Sequence, residues 1–75
     1  MNITQKCIEY ISQFGSLRFH LNEAALAMGT LTQQELINAC RVLRGYELKT
    51  ISQDYMNNHI NSLIETTQKR EKSFV

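Results

Sequence analysis

The chain has 75 residues, 43% of them hydrophobic, with three Gly, no Pro and a formal net charge of +1. A chain this short makes one small domain that buries only about 60% of its unfolded surface, and so few chain breakers favour helices over a turn-rich β design. Eight Lys plus Arg against seven Asp plus Glu are not the balance of a polycationic nucleic-acid binder.

Asn2 and Gln5 have the spacing of a capping box. Ile3, Cys7, Ile8, Ile11 and Phe14 then recur at helical spacing, which predicts a first helix over 3–14 ended by Gly15. Leu17, Phe19 and Leu21 alternate with Arg18 and His20, the period of a brief strand over 16–20. Asn22 is placed to cap a short helix over 23–28, with Leu21 and Leu26 as a hydrophobic staple. Its Ala24, Ala25 and Ala27 leave room for another helix to approach, and Gly29 can take the positive φ that ends it.

Only ten residues after the first cap, Thr32 starts another helix, over 33–46, with Glu35 closing a capping box and Leu31 and Leu36 as a second staple. Leu36, Ala39, Cys40 and Leu43 form its apolar face, closed by Leu48, while Ile37 and Val42 fall outside that stripe. Gln34, Asn38 and Arg41 make one outward row flanked by Gln33 and Arg44. Residues 47–51 are expected to form a second short strand pairing with 17–20. Ser52 or Asp54 then caps a fourth helix over 55–70, whose apolar stripe is Met56, Ile60, Leu63 and Ile64. Asn57, Asn58, Asn61 and Ser62 keep its other side polar, and Lys69, Arg70 and Lys72 suit the negative end of its dipole. No internal repeat is expected: residues 1–75 form one domain, with a core unit over 3–51 and a C-terminal helix over 52–72.

Cys7 and Cys40 fall on apolar faces of separate helices, as buried reduced thiols do, and neither belongs to a CxxC or a Cys/His cluster. No metal or other cofactor is implied. Glu9, Glu23, Glu35 and Glu47 lie on different elements, and no Ser/His/Asp grouping or phosphate loop accompanies them, so no enzyme is expected. Without an apolar run near the roughly 18 residues of a membrane span, or a signal-peptide pattern, the expected location is the cytoplasm and not a membrane.

With Ala25 in the second helix, Met28–Gly29 at the turn, and Leu36, Ala39 or Cys40, and Leu43 in the third, residues 3–50 resemble the helix-turn-helix superfamily, its winged-helix branch best. The resemblance implies a mainly α domain of three to four helices with at most a short two-stranded sheet. The turn Gly29–Thr32 is one residue longer than in the compact form of the motif, and the stretch after the third helix is short for a wing.

The resemblance further implies a transcriptional regulator that lays helix 33–46 in the major groove of double-stranded DNA. Gln33, Gln34 and Asn38 would offer amide pairs to bases, and Arg41 or Arg44 would reach guanine or phosphate. Thr30 and Thr32 would hold phosphate at the helix start, and Lys49 would touch the backbone from the neighbouring strand. A homodimer through Met56, Ile60, Leu63 and Ile64 would double these contacts. The rival expectation is a small helical adaptor or inhibitor of the phage or plasmid type, which grips a host or regulatory protein through an apolar patch at Ile37 or Val42. A continuous positive surface over Arg41, Arg44 and Lys49 would favour DNA; an apolar patch beside Ile37 or Val42 would favour protein.

Overall fold

The computed structural model describes residues 3–14 and 21–73. Four helices stand among them: α1 (Ile3–Ile11), α2 (Glu23–Met28), α3 (Gln33–Glu47) and α4 (Gln53–Ser73). Local chemistry sets where they begin. The Asn22 side chain accepts from the Ala25 N–H at 2.9 Å, relieving an otherwise unpaired donor at the start of α2. At α3 the capping box is complete: the Glu35 N–H donates to the Thr32 hydroxyl at 3.1 Å, and the Thr32 N–H donates to the Glu35 carboxylate at 3.0 Å. Ser52, not Asp54, opens α4, accepting from the Tyr55 N–H at 3.2 Å. The capping box expected at Asn2 lies outside the described residues. α1 stops three residues short of the predicted end, and residues 12–14 tighten into a 3₁₀ turn.

The two later helix boundaries are made by one device used twice. Gly29 ends α2 with φ +82°; its N–H bonds to the Leu26 carbonyl, and the Thr30 N–H to that of Ala25. Lys49 follows α3 with φ +65°; its N–H bonds to the Tyr46 carbonyl, and the Thr50 N–H to that of Gly45. Both are Schellman turns around a left-handed residue. In each, the threonine hydroxyl also donates to the carbonyl its own N–H uses, at 3.1 Å for Thr30 to Ala25 and for Thr50 to Gly45. An aliphatic residue and a hydroxyl cap complete each corner: Leu31–Thr32, then Ile51–Ser52. Gly29–Gln33 and Lys49–Gln53 are therefore a repeat, contrary to expectation.

That corner replaces the expected second strand. Glu47 is the last residue of α3, residues 48–51 turn, and no strand occurs among the described residues; the first expected strand, 16–20, lies outside them. The architecture is mainly α.

α3 is the central helix, packed between α1 and α4. Leu36, Ala39 and Leu43 are fully buried with Ile11, Leu21 and Leu31, and Ile60 and Leu63 of α4 close the core. Three cross-links show that α1 and α3 run parallel: Gln33 Nε2 donates to Thr4 Oγ1 at 2.6 Å, the Cys40 thiol to the Cys7 carbonyl at 3.4 Å, and the Tyr10 hydroxyl to Glu47. α2 turns Ala25 and Leu26 to the core and leaves Ala24 and Ala27 exposed, so only one of its three alanines serves helix packing. Gly45 is buried because the Ile51 side chain lies on it: a Cβ there would stand 2.5 Å from Ile51 Cδ1. The same corner buries Val42, which was expected outside the core stripe.

Candidate functional site

The face of α3 turned away from the core carries Gln33, Gln34, Arg41 and Arg44, all exposed, with Asn38 half-buried among them. The Gln34 amide donates to Asn38 Oδ1 at 3.0 Å, which orients two of the three residues in the row. α1 and α4 flank this face: the Gln33 amide donates to Thr4 of α1 at 2.6 Å, and Asn38 lines a cleft with α4. Arg44 makes a loose ion pair with Glu47 at 3.5 Å, both side chains more than half exposed, a pairing too solvated to hold the guanidinium firmly.

The start of α3 differs from what was expected. Thr30 is buried, with its hydroxyl on the Ala25 carbonyl and its own carbonyl accepting from Arg70 at 3.2 Å. It has no free group for a phosphate. Thr32 is exposed, but its hydroxyl and N–H both face the Glu35 carboxylate at 3.0 Å, so a carboxylate already occupies the anion position at this helix end. Arg70 reaches across from α4 to pair with Glu35 at 2.5 Å. Burial pushes the Glu35 pKa up, but the bonds from Arg70 and Thr32 outweigh it and hold it below its ordinary value. A second anion here would find the Thr32 donors already taken. Arg70 acts in a link between α3 and α4, a role beyond the helix dipole.

Lys49 is exposed, but it sits in the left-handed turn after α3 instead of on a strand. The proposed dimer stripe also has another use: Ile60 and Leu63 lie in the monomer core, with Met56 and Ile64 packed against it. His59 is half-buried, its ring 6.5 Å from and nearly parallel to that of Tyr55, in a polar cleft between α3 and α4 that Asn38 also lines. Among the described residues, no group of three or more His, Cys, Asp or Glu is placed to hold a metal ion, and no helix is long and apolar enough to cross a membrane.

Sequence reasoning missed an apolar concavity. An open groove of about 560 Å³ runs between α1 and α3, with Cys7, Ile37 and Cys40 along it and Ile3 and Leu48 beside it. Ile3 and Leu48 are 55% and 58% exposed, high for large aliphatic side chains. Lys6, Tyr10, Arg41 and Arg44 also line it; no acidic residue is among the described lining residues, but the Glu47 carboxylate accepts from Tyr10 and Arg44 beside it. Ile37 lying off the core stripe was the available signal. Without knowing that α1 lies parallel to α3, nothing connected it to Ile3. Burial pushes the Cys40 thiol up to about 12, with its bond to Cys7 adding to the effect, so it stays protonated. The chain matches no known family model, no curated protein and no solved structure.

Proposed function

We propose that this is a small helix-turn-helix DNA-binding regulator that reads a duplex with the outward face of α3. One observation supports the reading: Gln34 and Arg41 are exposed, and Asn38 half-buried between them, on a helix whose opposite face is held in the core. Amide side chains there suit adenine edges, and Arg41 suits guanine or phosphate. Gln33 and Arg44 flank the contact, and Lys49 adds a backbone cation beyond the end of α3. Thr30 and Thr32 are no longer part of the proposed interface.

Three cations limit affinity. If Arg41, Arg44 and Lys49 each neutralise one phosphate, log K falls with log salt at a slope of about −2.7. Doubling these contacts in a homodimer would require a surface other than the Met56, Ile60, Leu63 and Ile64 stripe, which closes the monomer. The test is a fluorescence-polarisation titration with random duplex at low and moderate salt. Binding is expected at low salt, and Arg41→Ala should reduce the salt slope by about one. No binding at tens of micromolar protein in low salt would overturn the reading. The rival adaptor or inhibitor reading keeps one specific support, the apolar groove beside Ile37.

A further inference from the structure

We infer that the groove between α1 and α3 is a docking site for an acidic amphipathic helix of another protein. Shape, surface and charge carry the inference together. Three features define it: a lining that includes Cys7, Ile37 and Cys40, two exposed aliphatic residues, Ile3 and Leu48, and three cations, Lys6, Arg41 and Arg44, against the single carboxylate of Glu47 that Tyr10 and Arg44 hold beside it. From Ile37 to Leu48, α3 rises by about 16 Å, the length of three helical turns. A helix laid along this seam buries its apolar stripe against these apolar residues, as helix-in-groove complexes do.

The cations decide the kind of occupant. Lys6 comes from α1, and Arg41 and Arg44 from α3. A partner with Glu or Asp flanking its apolar stripe places opposite charge against all three, whereas a basic helix meets repulsion. A second copy of this chain fits less well, because a twofold contact through this face brings two cationic linings together. A bilayer is also a weaker match, since an amphipathic surface that binds membrane presents a broader apolar face than Ile3, Ile37 and Leu48 provide. Glu47 accepts from both Tyr10 and Arg44 and offsets part of the Arg44 charge, which leaves Lys6 and Arg41 as the principal cations facing a docked helix.

The test uses the full chain and a labelled helical peptide of about 14 residues, four turns long, with Leu at i, i+3 and i+7 and Glu on both flanks. Its counterpart carries Lys in place of every Glu. The acidic peptide is expected to bind in the micromolar range, and the basic one at least about tenfold more weakly. Leu48→Glu and Ile3→Glu change exposed residues outside the core, so folding survives, checked by circular dichroism; each should weaken the acidic peptide by about tenfold or more. Arg41→Glu should narrow the preference for the acidic peptide. Amide chemical-shift changes should centre on Cys7, Ile37 and Cys40. Equal binding of both peptides, none at hundreds of micromolar, or indifference to Leu48→Glu would overturn the inference. So would a concentration-dependent dimer in sedimentation that Leu48→Glu abolishes and the acidic peptide does not, or tighter binding to anionic vesicles than to peptide. Failure to bind DNA would leave these results unaffected, so the two readings fail separately.

Discussion

Lys49→Gly is expected to stabilise the protein, although it removes a side chain and adds nothing. Lys49 has φ +65°, in the left-handed region, where an L-residue loses about 1–2 kcal/mol to the approach of Cβ to the backbone carbonyl. Glycine removes that strain but gives back about 0.5–1 kcal/mol through the greater freedom of the unfolded chain. The side chain is exposed, so no packing is lost. The net gain is about 0.5–1 kcal/mol, which for a domain of this size raises Tm by about 2–8 °C. The other corner supplies the opposite experiment. Gly29 has φ +82°, and a Cβ there meets nothing within 4 Å, so Gly29→Ala isolates backbone strain and should lower stability by about 1 kcal/mol. Lys49→Ala keeps the left-handed strain while removing the charge and the long stem, and should leave Tm nearly unchanged. The assay is reversible thermal melting followed by far-UV circular dichroism at pH 7. An unchanged or lower Tm for Lys49→Gly, or a gain shared equally by Lys49→Ala, would refute the left-handed assignment and with it the equivalence of the two corners.

Thr32→Ala should cost about 1 kcal/mol by removing the acceptor for the Glu35 N–H; an unchanged melting temperature would mean that the capping box does not hold the start of α3. Leu43→Ala, at a position with no solvent exposure, should cost roughly 2–5 kcal/mol, enough to leave the chain largely unfolded at 37 °C by circular dichroism. Stability should fall in alkali. Cys40 is raised from 9.0 to about 12 in the folded chain, so above pH 9 the unfolded state releases the proton first. The contribution is whole below pH 9 and disappears as pH rises towards 12. Cys40→Ser should flatten that limb in urea titrations, and an identical alkaline profile would dismiss the thiol as its source.

Sequence reasoning reached furthest where a few neighbouring residues decide the outcome. Asn22, Thr32 and Glu35 cap as their chemistry dictates, and α2 spans the predicted residues. It failed at residues 47–51, where a short strand pairing with 17–20 was expected. The corner there lacks the glycine that marks the earlier one; its signature is the recurrence of Thr–aliphatic–hydroxyl–Gln twenty residues on, at 50–53 as at 30–33. The Glu35–Arg70 pair joins residues separated by 35 positions, and only the fold of α4 onto α3 brings them together. Thr30 was misread for a related reason: its distance from the helix start was legible, but not the Ala25 carbonyl that takes its hydroxyl. Val42 sits at the edge of the helical stripe and is buried by a turn that lies beyond the periodicity of α3. The groove demanded most, because it exists only once α1 is known to run parallel to α3.

The two proposed surfaces share residues, and their binding must therefore be coupled. Arg41 and Arg44 border the outward row of α3 and also line the groove. Under the two proposals, carboxylates of a docked helix and phosphates of a duplex would compete for the same guanidinium groups. Linkage makes the antagonism reciprocal: the factor by which an acidic peptide raises the duplex Kd must equal the factor by which duplex raises the peptide Kd. Measuring both at one salt concentration tests this directly. Equal factors above one fit competition for shared arginines, and Lys6→Ala, which alters only the groove, should weaken the peptide without touching duplex affinity. A factor of one would mean that duplex and peptide draw on separate charges, and the assignment of Arg41 and Arg44 to both surfaces would have to be abandoned.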